Sequence, residues 1–378
     1  MSQGITDTEI FVGNSAAVSG IFATTGDPVL AGIRAYFDMV NSGGGIDGRL
    51  LRLVHIDDGY DPRKAVEAFD ALVHGKKVFA LVGQFGAPVV EATLDDIRKT
   101  GIPAVYFATG AGKLYVERAL TPEAGANCYP IQPLYITEGR VMAARAAATF
   151  KAKKLGVIHT ADRTGSDLMQ GVSLECRELR MECSGREVPT SLEGLQEAVS
   201  AIRRTGPDFL ILAAPQAFFP EIAREVARQG MAVPALTTYL NGVITIAQKT
   251  DACVGGQFDI YALNWLNYDG ERRQNLEDAA QWLGDYAMNG YAHCGWTGAH
   301  FFCEGMRRLA GEKPTWENFR TAMESAPLAI PFGGAVNYAG GQRMGTQEMS
   351  LTRIDLAAPI GWTEVDGLRS VDELLRSL

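Results

Sequence analysis

Three groups of residues in this chain have types and spacings that could do chemistry. Gly43-Gly44-Gly45-Ile46-Asp47-Gly48 spells GxGxxG, the pattern that lets a backbone approach a pyrophosphate in dinucleotide sites. His293, Cys294, His300 and Cys303 make a His/Cys cluster, and on a helix His300 and Cys303 would share a face, as two metal ligands could. Asp57-Asp58-Gly59-Tyr60-Asp61 brings three carboxylates into five residues, a composition that calcium can use.

Each has a plainer reading. The dinucleotide fingerprint must follow a strand and open a helix; here it follows a helical stretch and precedes a strand, so it reads as a helix end and a tight turn. The His/Cys spacing matches no standard zinc pattern and lies in what reads as a buried helix pair. The acidic run lacks the extended ligand series and closing glutamate of a calcium loop, and Asp61-Pro62 reads as a helix start. No nucleophile elbow, P-loop or zinc-protease motif occurs, and no spacing joins serine, histidine and aspartate into a triad. The expectation is reversible binding without catalysis, cofactor or metal.

The elements that would position a binding site are more legible. Apolar runs at 9–13, 50–57, 78–83, 104–107, 155–159, 208–213 and 235–238 alternate with amphipathic stretches at 28–41, 62–74, 89–100, 137–150, 166–179, 192–205 and 218–229. Continuous apolar strands separated by helices predict an α/β fold with parallel sheets covered on both faces. Pro28 and Pro88 fall where a first helical residue is expected, with Asp27 as a cap before the former. The rhythm restarts near 130–135, which predicts a second βα domain. It changes again around 258–266, into helical stretches near 272–289, 295–309 and 316–325, and then into short strands and turns over 332–362.

Length and composition agree. A chain of 378 residues, 47% hydrophobic and 21% charged, fits two globular domains. Its net charge of -9 and scattered basic residues argue against a nucleic-acid partner. No apolar run approaches the roughly 18–20 residues that span a bilayer. Met1-Ser2-Gln3-Gly4 leads directly into the first strand, as in a cytoplasmic protein or a mature form whose leader has been removed. Among the six cysteines, Cys176 and Cys183 could pair across a helix end; free thiols are the other reading.

Several segments in order carry a resemblance. GITDTEIFVGNSAAVSG from Gly4, GGGIDGRLLRLV with DDGYDPRKAV, HGKKVFALVGQFGAP, TGIPAVYFATGAG, KKLGVIHTADRTGSDL, PDFLILAAPQ and RQGMAVPALTTYLNG resemble the branched-chain amino-acid family of periplasmic solute-binding proteins of ABC importers. The resemblance covers essentially the whole chain and is weaker after Cys253. It implies two Rossmann-like lobes joined by three crossovers around a ligand cleft: residues 1–133 plus 258–349, and 134–257 plus 350–378. It also implies a monomer, periplasmic or at the cell surface with its leader removed. Its partners would be a small-molecule ligand and a membrane permease. A ligand-sensing regulator on the same fold is the alternative.

The implied site lies beyond the carboxyl ends of the strands. In the first lobe these are Ser19, Phe22 and Thr24 after strand one, Gln84, Phe85, Gly86 and Ala87 after strand three, and Ala108, Thr109 and Gly110 after strand four. Glycine admits close backbone approach, and helix-start N–H groups suit a carboxylate. In the second lobe the matching positions are Thr164, Gln216, Tyr239 and Asn241. Leucine-type members hold the ligand's ammonium with a carboxylate where Tyr239 stands, and their first-lobe hydroxyls match Ala87 and Gly110. An ammonium buried without an anion costs several kcal/mol. The ring of Tyr239 could return only about 0.5–2 kcal/mol to a cation. The expected ligand is therefore a small carboxylate or amide whose apolar body suits Phe22, Phe85 and Tyr239. Where other members carry a disulfide, this chain has Tyr60 and Gly86.

Overall fold

The computed structural model describes residues 3–268, 270 and 272–376. Met1, Ser2, Asp269, Glu271, Ser377 and Leu378, all within the expected lobes, lie outside the described residues.

The chain opens with β1 (Glu9–Ala16), α1 (Ala23–Ser42), β2 (Leu50–Asp57), α2 (Pro62–Asp70), β3 (Ala80–Phe85), α3 (Ala87–Thr100), β4 (Ala104–Ala108) and β5 (Cys128–Tyr129). There follow α4 (Tyr135–Ala148), β6 (Lys154–Thr160), α5 (Arg163–Glu178), β7 (Glu182–Val188), α6 (Leu195–Thr205), β8 (Phe209–Ala213), α7 (Phe218–Arg228), β9 (Ala235–Thr237), α8 (Ile244–Val254) and β10 (Ile260–Asn264). The last part holds α9 (Arg272–Leu283), α10 (Gly290–Arg307), α11 (Trp316–Glu324), the two-residue strands β11 (Leu328–Ala329) and β12 (Ala335–Val336), β13 (Glu348–Ile354), β14 (Trp362–Ser370) and α12 (Val371–Arg376).

Two compact units result. One holds the chain up to Gln132 with Tyr268–Thr346; the other holds Pro133–Asn267 and the chain from Gln347 onward. The chain therefore passes from one to the other three times. In the first unit a parallel sheet runs β2-β1-β3-β4-β5. β3 is buried throughout and β4 as far as Phe107, which is why they read as continuous apolar runs. In the second the order is β14-β13-β10-β9-β8-β6-β7, parallel from β10 to β7, with β13 and β14 antiparallel at one edge. The fold is α/β with parallel sheets flanked by helices, as the alternation requires.

Several details depart from the sequence expectation. β10 pairs with β9 and β13, so 258–267 belongs with the second unit's sheet rather than with the first lobe. Helix α1 begins at Ala23 with Pro28 inside it, because the single turn Gly20–Phe22 feeds straight into the helix. Asp27 caps nothing there and instead accepts the hydroxyl of Tyr286. Asp61 does cap α2, accepting from the Arg63 N–H at 2.8 Å, with Pro62 opening the helix. Gly43–Gly48 forms the turn from α1 to β2, with positive φ at Gly44, Gly45 and Gly48.

In the first unit α1 lies directly on α10. A Cβ on Gly32 would stand 1.9 Å from the Ala292 carbonyl, and one on Gly295 would stand 1.9 Å from the Val29 carbonyl, so only glycine permits this approach. No described helix is long and apolar enough to cross a membrane.

Candidate functional site

Parallel pairing sends the carboxyl ends of β1, β2, β3 and β4 to one edge of the first unit's sheet. The register pairs Ala16 with Asp57 and Phe85 with Ala108 at that edge. An apolar group gathers there: Ala16, Ala17 and Phe85 are buried, and Phe22, Tyr60 and Ala108 are half-buried against them. Phe22 and Tyr60 stack with ring centroids 4.0 Å apart and planes 25° apart, and Phe85 stands 5.6 Å from Tyr60 and 6.4 Å from Phe22. The structure thus brings together Phe22, Phe85, Gly86 and Ala108 of the expected residues, and adds Tyr60.

The other first-unit residues take different places. Ser19 and Thr24 are exposed, and Ser19 hydrogen-bonds the Asp57 carboxylate. Asp57 also accepts from the Val18 and Gly59 N–H groups at 3.1 and 2.9 Å; burial opposes the ionised form, but these hydrogen bonds outweigh it and keep the acid below its ordinary range. Gln84 is buried, its side-chain oxygen turned to the Ser15 N–H at 3.4 Å. Thr109 is buried and its hydroxyl accepts from the Ala111 N–H at 3.2 Å, closing the turn that contains Gly110. Ala87 opens α3, whose start has no side-chain cap and whose second residue, Pro88, carries no N–H.

Asp58 underlies the same edge. It is fully buried, accepts the Ser15 hydroxyl and the Tyr60 N–H (2.9 Å), and burial raises its pKa above the ordinary carboxylate value. The second unit has a matching edge. Asp162 caps α5 through the Gly165 N–H at 2.7 Å, which fixes Thr164 in the first helical turn. Gln216 adopts φ 43, and its N–H donates to the Asn241 side chain at 2.7 Å. Asn241 is fully buried and spends its amide donors on the Ala214 carbonyl and the Thr237 hydroxyl, both at 2.8 Å. Asn241 therefore braces the turn that presents Gln216.

Tyr239 is buried in the turn Tyr239–Asn241 after β9. Its hydroxyl donates to the Pro133 carbonyl at 2.8 Å, and its ring stacks on Tyr135 at 5.9 Å. Its N–H donates to Glu138 at 2.6 Å, and Thr238 donates its hydroxyl to the same carboxyl at 3.0 Å. Glu138 is wholly buried, and burial pushes its pKa up to about 8 against the pull of those two donors. A carboxyl held up by burial in this way is a poor anion for an ammonium group.

The residues that had suggested a metal are engaged otherwise. His293 is buried; its Nε2 donates to the Ala287 carbonyl at 2.9 Å, which leaves Nδ1 to accept the Tyr268 hydroxyl at 2.8 Å. His300 Nδ1 meets the Tyr36 hydroxyl at 2.9 Å. Among the described residues no group of three or more His, Cys, Asp or Glu is arranged to hold a metal ion. All six cysteines carry free thiols, with Cys176 and Cys183 hydrogen-bonded to each other.

Sequence reasoning missed Tyr60, Asp58 and Glu138 as site-forming residues. Tyr60 had a signal, the adjacent Gly59 and the glycine at 86, but it depends on a contact between loops 26 residues apart. Glu138 had none: it reads as an ordinary first-turn acid of an amphipathic helix.

Comparison with known proteins agrees with this architecture. An "Amino acid binding protein" from Pseudomonas aeruginosa is 24% identical over 65% of this chain and 63% of its own length. A "Leu/Ile/Val-binding protein homolog 2" from Brucella abortus is 26% identical over 47% of this chain and 46% of its own. The alignments thus span from under half to under two thirds of these relatives. Among solved structures, a fatty acid ABC transporter substrate-binding protein from Thermomonospora curvata superposes with a TM-score of 0.84 at 20% identity, covering 100% of this chain and 96% of that one. A solute-binding protein from R. palustris in complex with benzoate gives 0.78 at 18%, covering 96% of each. A branched-chain amino-acid transporter protein from Thermus thermophilus with bound valine gives 0.82 at 15%, covering 99% of each. These likenesses show the fold. The model of the periplasmic binding protein family matches residues 9–359, nearly the whole chain, and the protein belongs to that family.

Proposed function

We propose that this chain is the extracytoplasmic solute-binding protein of an ABC importer, delivering a small carboxylate or amide with an apolar body to a membrane permease. Its work would lie in the periplasm or at the cell surface. The observation that carries the ligand class is the aromatic group Phe22, Tyr60 and Phe85 at the strand ends of the first unit, a surface suited to an apolar body. The uncapped start of α3 beside it supplies N–H groups for a carboxylate or amide oxygen.

The second unit supports the same class by its chemistry. An ammonium ligand needs a fixed anion, and the family resemblance puts Tyr239 where leucine-type members have one. Its hydroxyl is engaged by Pro133, and the acid below it, Glu138, is a poor anion because burial raises its pKa. Fatty acid and benzoate, named for two structural relatives, are carboxylates without an ammonium; valine, named for the third, is not.

Mass spectrometry of the small molecule released on denaturing the purified protein tests this reading. A carboxylate or amide without an amino group is expected; release of free leucine, isoleucine or valine would overturn it.

A further inference from the structure

The backbone of Tyr60 has φ 65, a left-handed conformation that a bulky side chain seldom adopts. Four contacts hold the residue there. The buried Asp58 accepts its N–H at 2.9 Å while also taking the Ser15 hydroxyl at the end of β1. The Asp61 N–H closes back on the Asp58 carbonyl at 3.0 Å, and Asp61 then caps α2. The ring lies against the bare α-carbon of Gly86, where a Cβ would stand 2.3 Å from Cε2. Gly86 itself has φ 98, so it accepts the close approach and the turn that opens α3. Phe22 stacks on the ring at 4.0 Å. A half-buried aromatic side chain is thus fixed by its backbone, by a glycine and by a second ring, at the edge where the ligand is proposed to bind.

We infer that Tyr60 is a specificity-determining residue, whose locked ring, paired with Phe22, selects ligands with a flat unsaturated ring over saturated acids of the same size. The inference rests on the carboxylate reading given above. Aromatic pairs in offset or edge contact gain affinity beyond the area they bury, and a puckered aliphatic ring cannot make that contact. Because the wall is rigid before binding, little ordering is lost when a ligand meets it.

Calorimetric titration of benzoate and cyclohexanecarboxylate into the whole protein and two variants tests this. Asparagine tolerates the left-handed backbone and keeps the N–H bonded to Asp58, so Tyr60→Asn removes the ring with the least disturbance of the turn. Tyr60→Phe keeps the ring. The wild type and Tyr60→Phe are expected to prefer benzoate by the same ratio within about two-fold. Tyr60→Asn is expected to lower that ratio by about three- to ten-fold, through weaker benzoate binding. A ratio unchanged in Tyr60→Asn, or both acids weakened equally, would overturn the role of Tyr60. A wild type that binds both acids equally would also overturn it, with the carboxylate reading intact. A wild type that binds neither acid overturns this inference; the carboxylate-or-amide reading then stands or falls on the ligand released from the purified protein.

Discussion

Glu138 accepts the backbone N–H of Tyr239 at 2.6 Å, from a side chain with no exposure to solvent. The first turn of α4 thereby holds the turn after β9 through a carboxyl whose pKa burial raises. A carboxyl here serves the fold of the second unit, and the tyrosine it holds presents no charge.

Removing that carboxyl leaves two buried donors without a partner. Glu138→Ala is expected to destabilise the protein by about 2–4 kcal/mol, measured by urea denaturation. Glu138→Gln keeps an oxygen for the Tyr239 N–H and is expected to cost less than half as much. Equal costs for both variants would contradict the bonding described.

The same group predicts a pH dependence. Its pKa rises from an ordinary 4.5 to about 8 on folding, so the folded state keeps a proton that the unfolded chain releases between those values. Its contribution is complete below pH 4.5 and is lost as pH rises to 8. The melting temperature of the wild type, relative to Glu138→Gln, is expected to fall steadily from pH 5 to pH 8. Parallel profiles would place the titration elsewhere.

His293 runs the other way. Burial holds its pKa near 4 against an ordinary 6.5, so the unfolded chain takes up the proton first on acidification. Its contribution is present above pH 6.5 and is lost as pH falls to 4. Unfolding followed between pH 4 and 7 is expected to show this acid limb, reduced in His293→Gln. Tyr268→Phe, which leaves Nδ1 without its donor, is expected to cost about 1–2 kcal/mol at pH 7.

Phe22 and Tyr239 separate binding from bracing. Phe22 is half-buried in the aromatic group, and Phe22→Ala is expected to weaken ligand affinity about three- to ten-fold in a calorimetric titration. Tyr239→Phe loses only the hydroxyl bonded to Pro133; it is expected to cost about 1 kcal/mol of stability and to change affinity by less than about two-fold. An affinity loss in Tyr239→Phe larger than in Phe22→Ala would reverse these assignments.

The strand-end loops were legible because buried parallel strands read as continuous apolar runs, and such folds present their loops at one edge. Edge strands were not. β7 is Glu-Cys-Ser-Gly-Arg-Glu-Val, mostly solvent-facing, with no apolar run to mark it. β10, inside the sheet between β9 and β13, reads in the sequence only as a change of rhythm. Within the site, residue types showed what each position could offer but not which way it turned. Asn241 had the chemistry of a ligand contact, and only the three-dimensional arrangement shows its amide bound to Ala214, Thr237 and Gln216. Tyr60 needed the contact with Gly86, which no local pattern encodes.

Calorimetric titration of the purified protein with aromatic carboxylates and, in parallel, with leucine and valine tests the central claim most directly. The account predicts micromolar or tighter binding of at least one aromatic or apolar carboxylate and no measurable heat with either amino acid. Micromolar or tighter binding of leucine or valine, with none of the aromatic acids, would contradict it.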